Sequence, residues 1–85
     1  MVNSAQHKTL VALFAEPVNG ALEWRRIEAL LLAVGCTVVE GSGSSVLFEK
    51  GGMKVRFHRP HPAKEALRYR VRDAREFLTS IGVRA

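Results

Sequence analysis

Apolar positions in the chain repeat with a helical period near both ends and alternate, as in a β-strand, in the middle. Asn3 or Ser4 is suited to cap a first helix that runs to about Phe14. The segment Pro17 to Gly20 breaks that helix. A second helix is predicted from about Trp24, because the apolar side chains after it recur at i, i+3, i+4 and i+7. They are Ile27, Leu30, Leu31 and Val34.

Three short segments with strand character predict an antiparallel sheet. They run from Cys36 to Glu40, from Ser45 to Lys50 and from Met53 to His58. The last two are separated only by Gly51-Gly52. Two glycines between alternating segments are a strong signal for a two-residue hairpin, because that turn needs positive φ angles.

The hairpin fixes the register of the two strands that it joins. With the two glycines as the turn, four apolar side chains share the face that covers the core: Val46, Phe48, Val55 and Phe57. The opposite face then carries Lys54, Arg56 and His58 in a row, with His58 directly across from Ser45. Arg59 follows at the end of the strand.

A last helix is predicted from about Lys64 to Ile81, with Gly82 ending it. Its buried stripe should consist of Leu67, Val71, Ala74, Leu78 and Ile81. Tyr69 and Arg70 are expected to face solvent, and Phe77 to lie outside the stripe. The resulting order α-α-β-β-β-α predicts an α+β fold, with helices packed on one face of a three-stranded antiparallel sheet.

The length and the cysteine usage favour one small cytoplasmic domain. The 85 residues suit a single domain over 1–85, in which residues 1–20 form an N-terminal helical extension. Cys36 is the only cysteine, so no intramolecular disulfide forms and a reducing cytosol is expected. No signal-peptide apolar region and no apolar run of about 20 residues is present, so no membrane partner is expected.

The charge of the chain favours an anionic partner. Thirteen Lys and Arg residues against eight Asp and Glu give a net charge of +5, and nucleic acid is the commonest partner of such a chain. Four cations of the last helix fall within about 80° on a helical wheel. They are Lys64, Arg68, Arg72 and Arg75. This stripe favours phosphate binding over the alternative of an ordinary surface helix in which Glu76 pairs with Arg72.

The histidines His58 and His61 raise the question of chemistry. No metal or other cofactor is expected, because a zinc site needs three or four ligands and this pair has no further neighbour in sequence. A serine nucleophile is disfavoured, because Ser44 and Ser45 lie in no G-x-S-x-G turn. RNA, by contrast, carries its own nucleophile, the 2′-OH, and histidine suits the proton transfers of its cleavage near neutral pH. The alternative is that both histidines only bond phosphates or backbone.

The segment from Trp24 to Val83 resembles the HicA family of type II toxin–antitoxin systems. The resemblance lies in an ordered set of motifs: a helix ending in LLLAVG, a strand, a Gly-Ser turn, a hairpin, PHPAKE, which matches the His-x-x-Lys-Glu part of the family pattern Pro-x-His-x-x-Lys-Glu, and a helix ending in IGV. It implies a fold similar to a double-stranded-RNA-binding domain. It also implies mRNA interferase activity, which is metal-independent RNA cleavage, and a HicB antitoxin as partner.

The chain departs from the family at its catalytic position. HicA toxins usually read Gly-Ser-His at the start of the second strand, whereas this chain reads Gly43-Ser44-Ser45. Serine cannot act as a general acid or base near neutral pH. His58 is the candidate replacement, because side chains directly across a strand pair lie about 5 Å apart. His61 matches the loop histidine of the family and, with Lys64, is expected to grip backbone or phosphate.

The sequence therefore predicts a toxin that binds mRNA through a basic surface and cleaves it by acid/base chemistry. The expected catalytic residues are His58, Ser45 and His61. The expected RNA-binding residues are Lys54, Arg56, Arg59, Lys64, Arg68, Arg72 and Arg75. Two alternatives stay open: a non-cleaving RNA-binding domain, and a domain whose basic surface mainly docks an acidic antitoxin.

Overall fold

The computed structural model describes residues 2–61 and 64–84. Its elements are α1 (Ser4–Phe14), α2 (Trp24–Ala33), β1 (Thr37–Glu40), β2 (Ser45–Lys50), β3 (Met53–His58) and α3 (Arg68–Ser80). This order confirms the predicted α+β fold. None of the helices in the described ranges is long and apolar enough to cross a lipid bilayer.

The sheet has the order β1-β2-β3, and both strand pairs are antiparallel. The β2–β3 register runs from Lys50 opposite Met53 to Ser45 opposite His58, as predicted. Gly51 and Gly52 form the turn with φ angles of 59° and 84°, which a residue with a Cβ adopts only with strain. The hairpin register is thus confirmed, together with the chemical reason for the two glycines.

The helices cover one face of this sheet. Trp24 at the start of α2 packs against two sheet residues, with its ring centroid 4.9 Å from that of Phe57 and 6.4 Å from that of Phe48. Val46 and Phe48 are fully buried in this core. On the opposite side of the sheet, which we call the open face, no helix of residues 2–61 and 64–84 packs.

Helix α3 begins four residues later than predicted, at Arg68 rather than Lys64. The backbone before it is used elsewhere, because Trp24 N donates to Lys64 O at 2.9 Å and Ala66 N donates to Leu22 O at 2.7 Å. A segment held in this bridge cannot also close helical hydrogen bonds. The prediction that Leu67 is buried is therefore wrong, and it is 55% exposed as the residue before the helix.

The buried face of α3 is wider than the predicted stripe. Val71, Ala74 and Leu78 are fully buried as predicted, but Phe77 and Arg70 are only 5% and 9% exposed. The heptad-like stripe underestimates this face because α3 packs against both β3 and α1. Residues on both sides of the stripe are thereby covered, so the expectation that Arg70 faces solvent is wrong.

Helix α1 begins as predicted and is an integral part of the core. Asn3 and Gln6 cap it reciprocally, each side chain accepting a hydrogen bond of 2.9 Å from the other residue's backbone N–H. Leu10 and Leu13 lie in the core cluster that α1 shares with α2 and α3.

Candidate nucleic-acid interface

The open face presents three side chains of β3 in a row. Lys54, Arg56 and His58 are all exposed, and they alternate with the core-facing positions of the strand. Beside them lie apolar side chains of the other strands, including Val39, which is 57% exposed. A flat surface with two cations, an imidazole and apolar patches suits a ligand that has both phosphates and planar bases.

Ser45 lies on the open face but is only 7% exposed. Its hydroxyl accepts a hydrogen bond of 2.7 Å from Nη1 of Arg56. Gly41, the residue after β1, packs tightly against the side chain of Ser45. A Cβ on Gly41 would lie 3.0 Å from both Cβ and Oγ of Ser45. The Ser45 hydroxyl therefore orients the guanidinium of Arg56 and is largely shielded from solvent.

His58 combines a fixed backbone with an exposed imidazole. Its carbonyl accepts a hydrogen bond of 2.8 Å from Nε of the buried Arg70. Within residues 2–61 and 64–84, the imidazole has no hydrogen-bond or ion-pair partner. His61 is exposed on the loop that follows β3. The structure thus brings His58, Ser45 and Arg56 together, with His58 and Ser45 directly opposite across the strand pair.

Arg59 points to the helix side of the sheet rather than to the open face. Its guanidinium binds two carboxylates in bidentate fashion: Glu28 of α2 at 3.0 and 2.8 Å, and Glu40 of β1 at 2.7 and 2.9 Å. Trp24 Nε1 also donates to Glu28, at 2.9 Å. The charge of Arg59, which was predicted to bind RNA, is thus already matched by two acids of the chain itself.

The ion-pair cluster shifts the pKa values of its members. Hydrogen bonds from Arg59 lower the pKa of both Glu28 and Glu40, and the two carboxylates raise the pKa of Arg59.

The alternation that places Phe57 inward and His58 outward also turns the next residue, Arg59, inward. The sequence pattern therefore contained the signal that Arg59 does not belong to the open face.

The predicted cationic stripe on the last helix is divided by the structure. Arg75 is bound to the end of α1, where its Nε donates to Leu13 O at 2.8 Å and its Nη2 to Ala15 O at 3.0 Å, and it also pairs with Glu16. Arg68 and Arg72 are exposed on α3, and Lys64 is exposed on the preceding segment. In the described part of the chain, no ion pair joins Glu76 to Arg72.

Two basic surfaces result, where the sequence predicted one. Lys54 and Arg56 lie on the open face, whereas Arg68 and Arg72 lie on the helix layer that covers the opposite face. A ligand must therefore pass around an edge of the sheet to contact both. Among the described residues, no three His, Cys, Asp or Glu side chains are grouped so that they could hold a metal ion.

Comparison with known proteins gives one family. A sequence model of the family described as "HicA toxin of bacterial toxin-antitoxin" matches residues 24–83, which is well over half of the chain. The matched range begins at α2, so α1 lies outside it. Neither the comparison with curated proteins nor that with solved structures finds a matching protein.

Proposed function

Because the chain belongs to the HicA toxin family of bacterial toxin–antitoxin systems, we propose that it is a ribonuclease toxin whose cleavage site is the open face around His58. One observation supports this site above all. The exposed imidazole of His58 lies directly across from Ser45, which fills the position of the usual family histidine, and Arg56 is held beside it by the Ser45 hydroxyl.

The chemistry requires only groups that this surface has. His58 accepts the proton of a ribose 2′-OH, the 2′-oxygen attacks the adjacent phosphorus, and the bond from phosphorus to the 5′-oxygen breaks. The leaving 5′-oxygen takes up a proton from solvent or from the imidazolium so formed. Arg56 and Lys54 stabilise the negative charge that develops on the phosphoryl oxygens. Ser45 serves to position Arg56.

The remaining exposed cations are proposed to bind RNA backbone outside the cleavage site. Arg68 and Arg72 are exposed on α3, Lys64 is exposed before it, and His61 is exposed after β3. Arg59 and Arg75 do not belong to this surface, because carboxylates and carbonyls of the chain itself already bind them. A HicB-like acidic antitoxin is the proposed protein partner, since an acidic surface can cover the same cations.

The test is RNA cleavage by the purified protein in the presence of EDTA. We expect the parent chain to cleave, and His58→Ala to reduce the rate roughly 10²- to 10⁴-fold, as loss of a general base does. His7→Ala is the matched control, because His7 is also exposed but lies on α1. Equal cleavage by His58→Ala and the parent would remove His58 from the mechanism, and dependence on added metal would exclude this chemistry.

A second function is a non-cleaving RNA-binding domain of the same fold. The observation that favours it is the imidazole of His58, which has no orienting partner among the described residues, together with serine in the usual catalytic position. The same assay separates the two functions. RNA that is bound by the parent chain and remains intact after long incubation identifies the binding domain.

A further inference from the structure

Tyr69 is the most exposed aromatic side chain of the protein. The chain has one Tyr, one Trp and four Phe residues. Trp24, Phe48, Phe57 and Phe77 are at most 5% exposed, and Phe14 is half-buried, whereas Tyr69 is 52% exposed. Helix α3 therefore presents a single open ring, in its first turn.

The ring of Tyr69 is connected to the strand end that carries His58. The guanidinium carbon of Arg70 lies 4.9 Å from the centroid of the ring, in cation–π contact. Arg70 is itself only 9% exposed, and its Nε donates to the carbonyl of His58 at 2.8 Å. Through these two contacts, the buried Arg70 links the ring of Tyr69 to the backbone of His58 at the edge strand of the sheet.

From this geometry we propose that Tyr69 is a stacking platform for an unpaired base of an RNA strand that passes from the phosphate at His58 around the edge of the sheet. The inference rests on the proposed function and adds to it a residue that binds one unpaired base. In a duplex the base faces are already stacked on one another, whereas an unpaired base can lie on an aromatic ring. A ring already held by Arg70 loses little conformational freedom when a base binds.

The proposal also explains how a flat surface can select a cleavage position. Phosphate contacts to Lys54 and Arg56 are equivalent at every nucleotide of a strand. A base on Tyr69 adds a contact at one fixed distance from His58. The phosphate at that distance along the strand is then the one placed at the imidazole.

Binding is measured with a single-stranded RNA whose nucleotides are all 2′-O-methylated, so that no 2′-OH is available for cleavage. Tyr69→Ala should bind this RNA roughly 5- to 100-fold more weakly than the parent, the usual effect of removing one base–aromatic stack. Tyr69→Phe keeps the ring and should bind within about twofold. Leu67→Ala, an equally exposed neighbour at 55%, should bind like the parent.

Two further measurements identify stacking itself. Because the chain has a single tyrosine, protein grown with 3-fluorotyrosine gives one tyrosine ¹⁹F resonance, which should shift when the RNA is added. RNAs with one abasic nucleotide at successive positions should lose affinity for the parent at one position. At that position, the abasic change and Tyr69→Ala should have non-additive effects.

The outcomes are distinct. In one outcome, Arg56→Ala weakens RNA binding, Tyr69→Ala does not, and the ¹⁹F resonance stays unchanged. The stacking role of Tyr69 is then wrong, while the proposed function stands. If the parent binds no RNA, the proposed function fails and the platform with it. Equal loss of affinity of Tyr69→Ala for duplex and single-stranded RNA, or loss only for an acidic protein partner, also overturns the stacking role.

Discussion

Ser45 and Arg56 act as one unit on the open face. The Ser45 hydroxyl accepts a hydrogen bond from a cation on the neighbouring strand. This hydrogen bond orients the positive charge of Arg56. In the proposed mechanism, the imidazole comes from His58 and the preorganised charge from Arg56.

Loss of the Ser45 hydroxyl should be measurable as a loss of stability. Ser45→Ala is expected to lower the free energy of unfolding by about 1 kcal/mol, because a nearly buried hydrogen bond to a charged group is removed. Urea denaturation followed by circular dichroism measures this value. Ser44→Ala is the matched control, since Ser44 is exposed, and an equal effect of both substitutions would contradict the role of the hydrogen bond.

Helices α1 and α3 depend on each other although only α3 lies in the range matched by the family. Arg75 of α3 binds carbonyl groups at the end of α1, and Leu13 of α1 is fully buried in the common core. Helix α1 thus completes the helix layer and is part of the fold. Arg75, which the charge pattern placed among the RNA-binding residues, joins these two helices.

The contribution of α1 can be tested with one core substitution. Leu13→Ala should lower the free energy of unfolding by about 2–5 kcal/mol, because it leaves a cavity between helices. Val11→Ala on the same helix should change it by less than about 0.5 kcal/mol, because Val11 is 49% exposed. Thermal denaturation of both variants gives the comparison, and similar small effects would show that α1 is not integrated into the core.

Across the chain as a whole, ion pairs decide which cations remain available. Arg59 connects the ends of β1 and β3 to α2 through Glu28 and Glu40. The unpaired positive charge behind the net +5 therefore lies mainly on the exposed cations of the open face and of the helix layer. These two surfaces lie on opposite sides of the sheet, so an RNA strand that binds both must turn around the sheet edge.

The same cluster should make stability depend on pH in the acidic range. Because Arg59 lowers the pKa of Glu28 in the folded chain, the unfolded chain binds more protons there, and stability rises with pH. This contribution to stability is fully present above pH 4.5, the ordinary pKa of glutamate. It is lost as the pH falls through the lower pKa that Glu28 has in the folded chain.

Glu28→Gln should accordingly lower the free energy of unfolding by about 1 kcal/mol at pH 7, and the difference from the parent should shrink as the pH falls below 4.5. Denaturation between pH 2.5 and 7 measures it. Glu76→Gln is the control, since Glu76 is exposed and no ion pair is found for it among the described residues. A difference that stays constant with pH would contradict the role of the ionised carboxylate.

Local patterns in the amino-acid chain were sufficient for the element order, the hairpin register and the position of His58 opposite Ser45. The reason is that the two-residue side-chain period and the Gly51-Gly52 turn act over short distances, and both oppose a shift by one residue. The start of α1 at its Asn3 cap was equally local. Family membership also followed from short motifs in order.

The partners of the basic residues were decided only by the tertiary structure. Arg59 meets Glu28 across 31 positions of the chain and Arg75 meets Glu16 across 59, so no local pattern identifies either pair. The delayed start of α3 has the same origin, because its preceding backbone bonds to the segment before α2. Charge clustering in a sequence thus indicates a basic surface, but packing determines which cations remain free to bind a ligand.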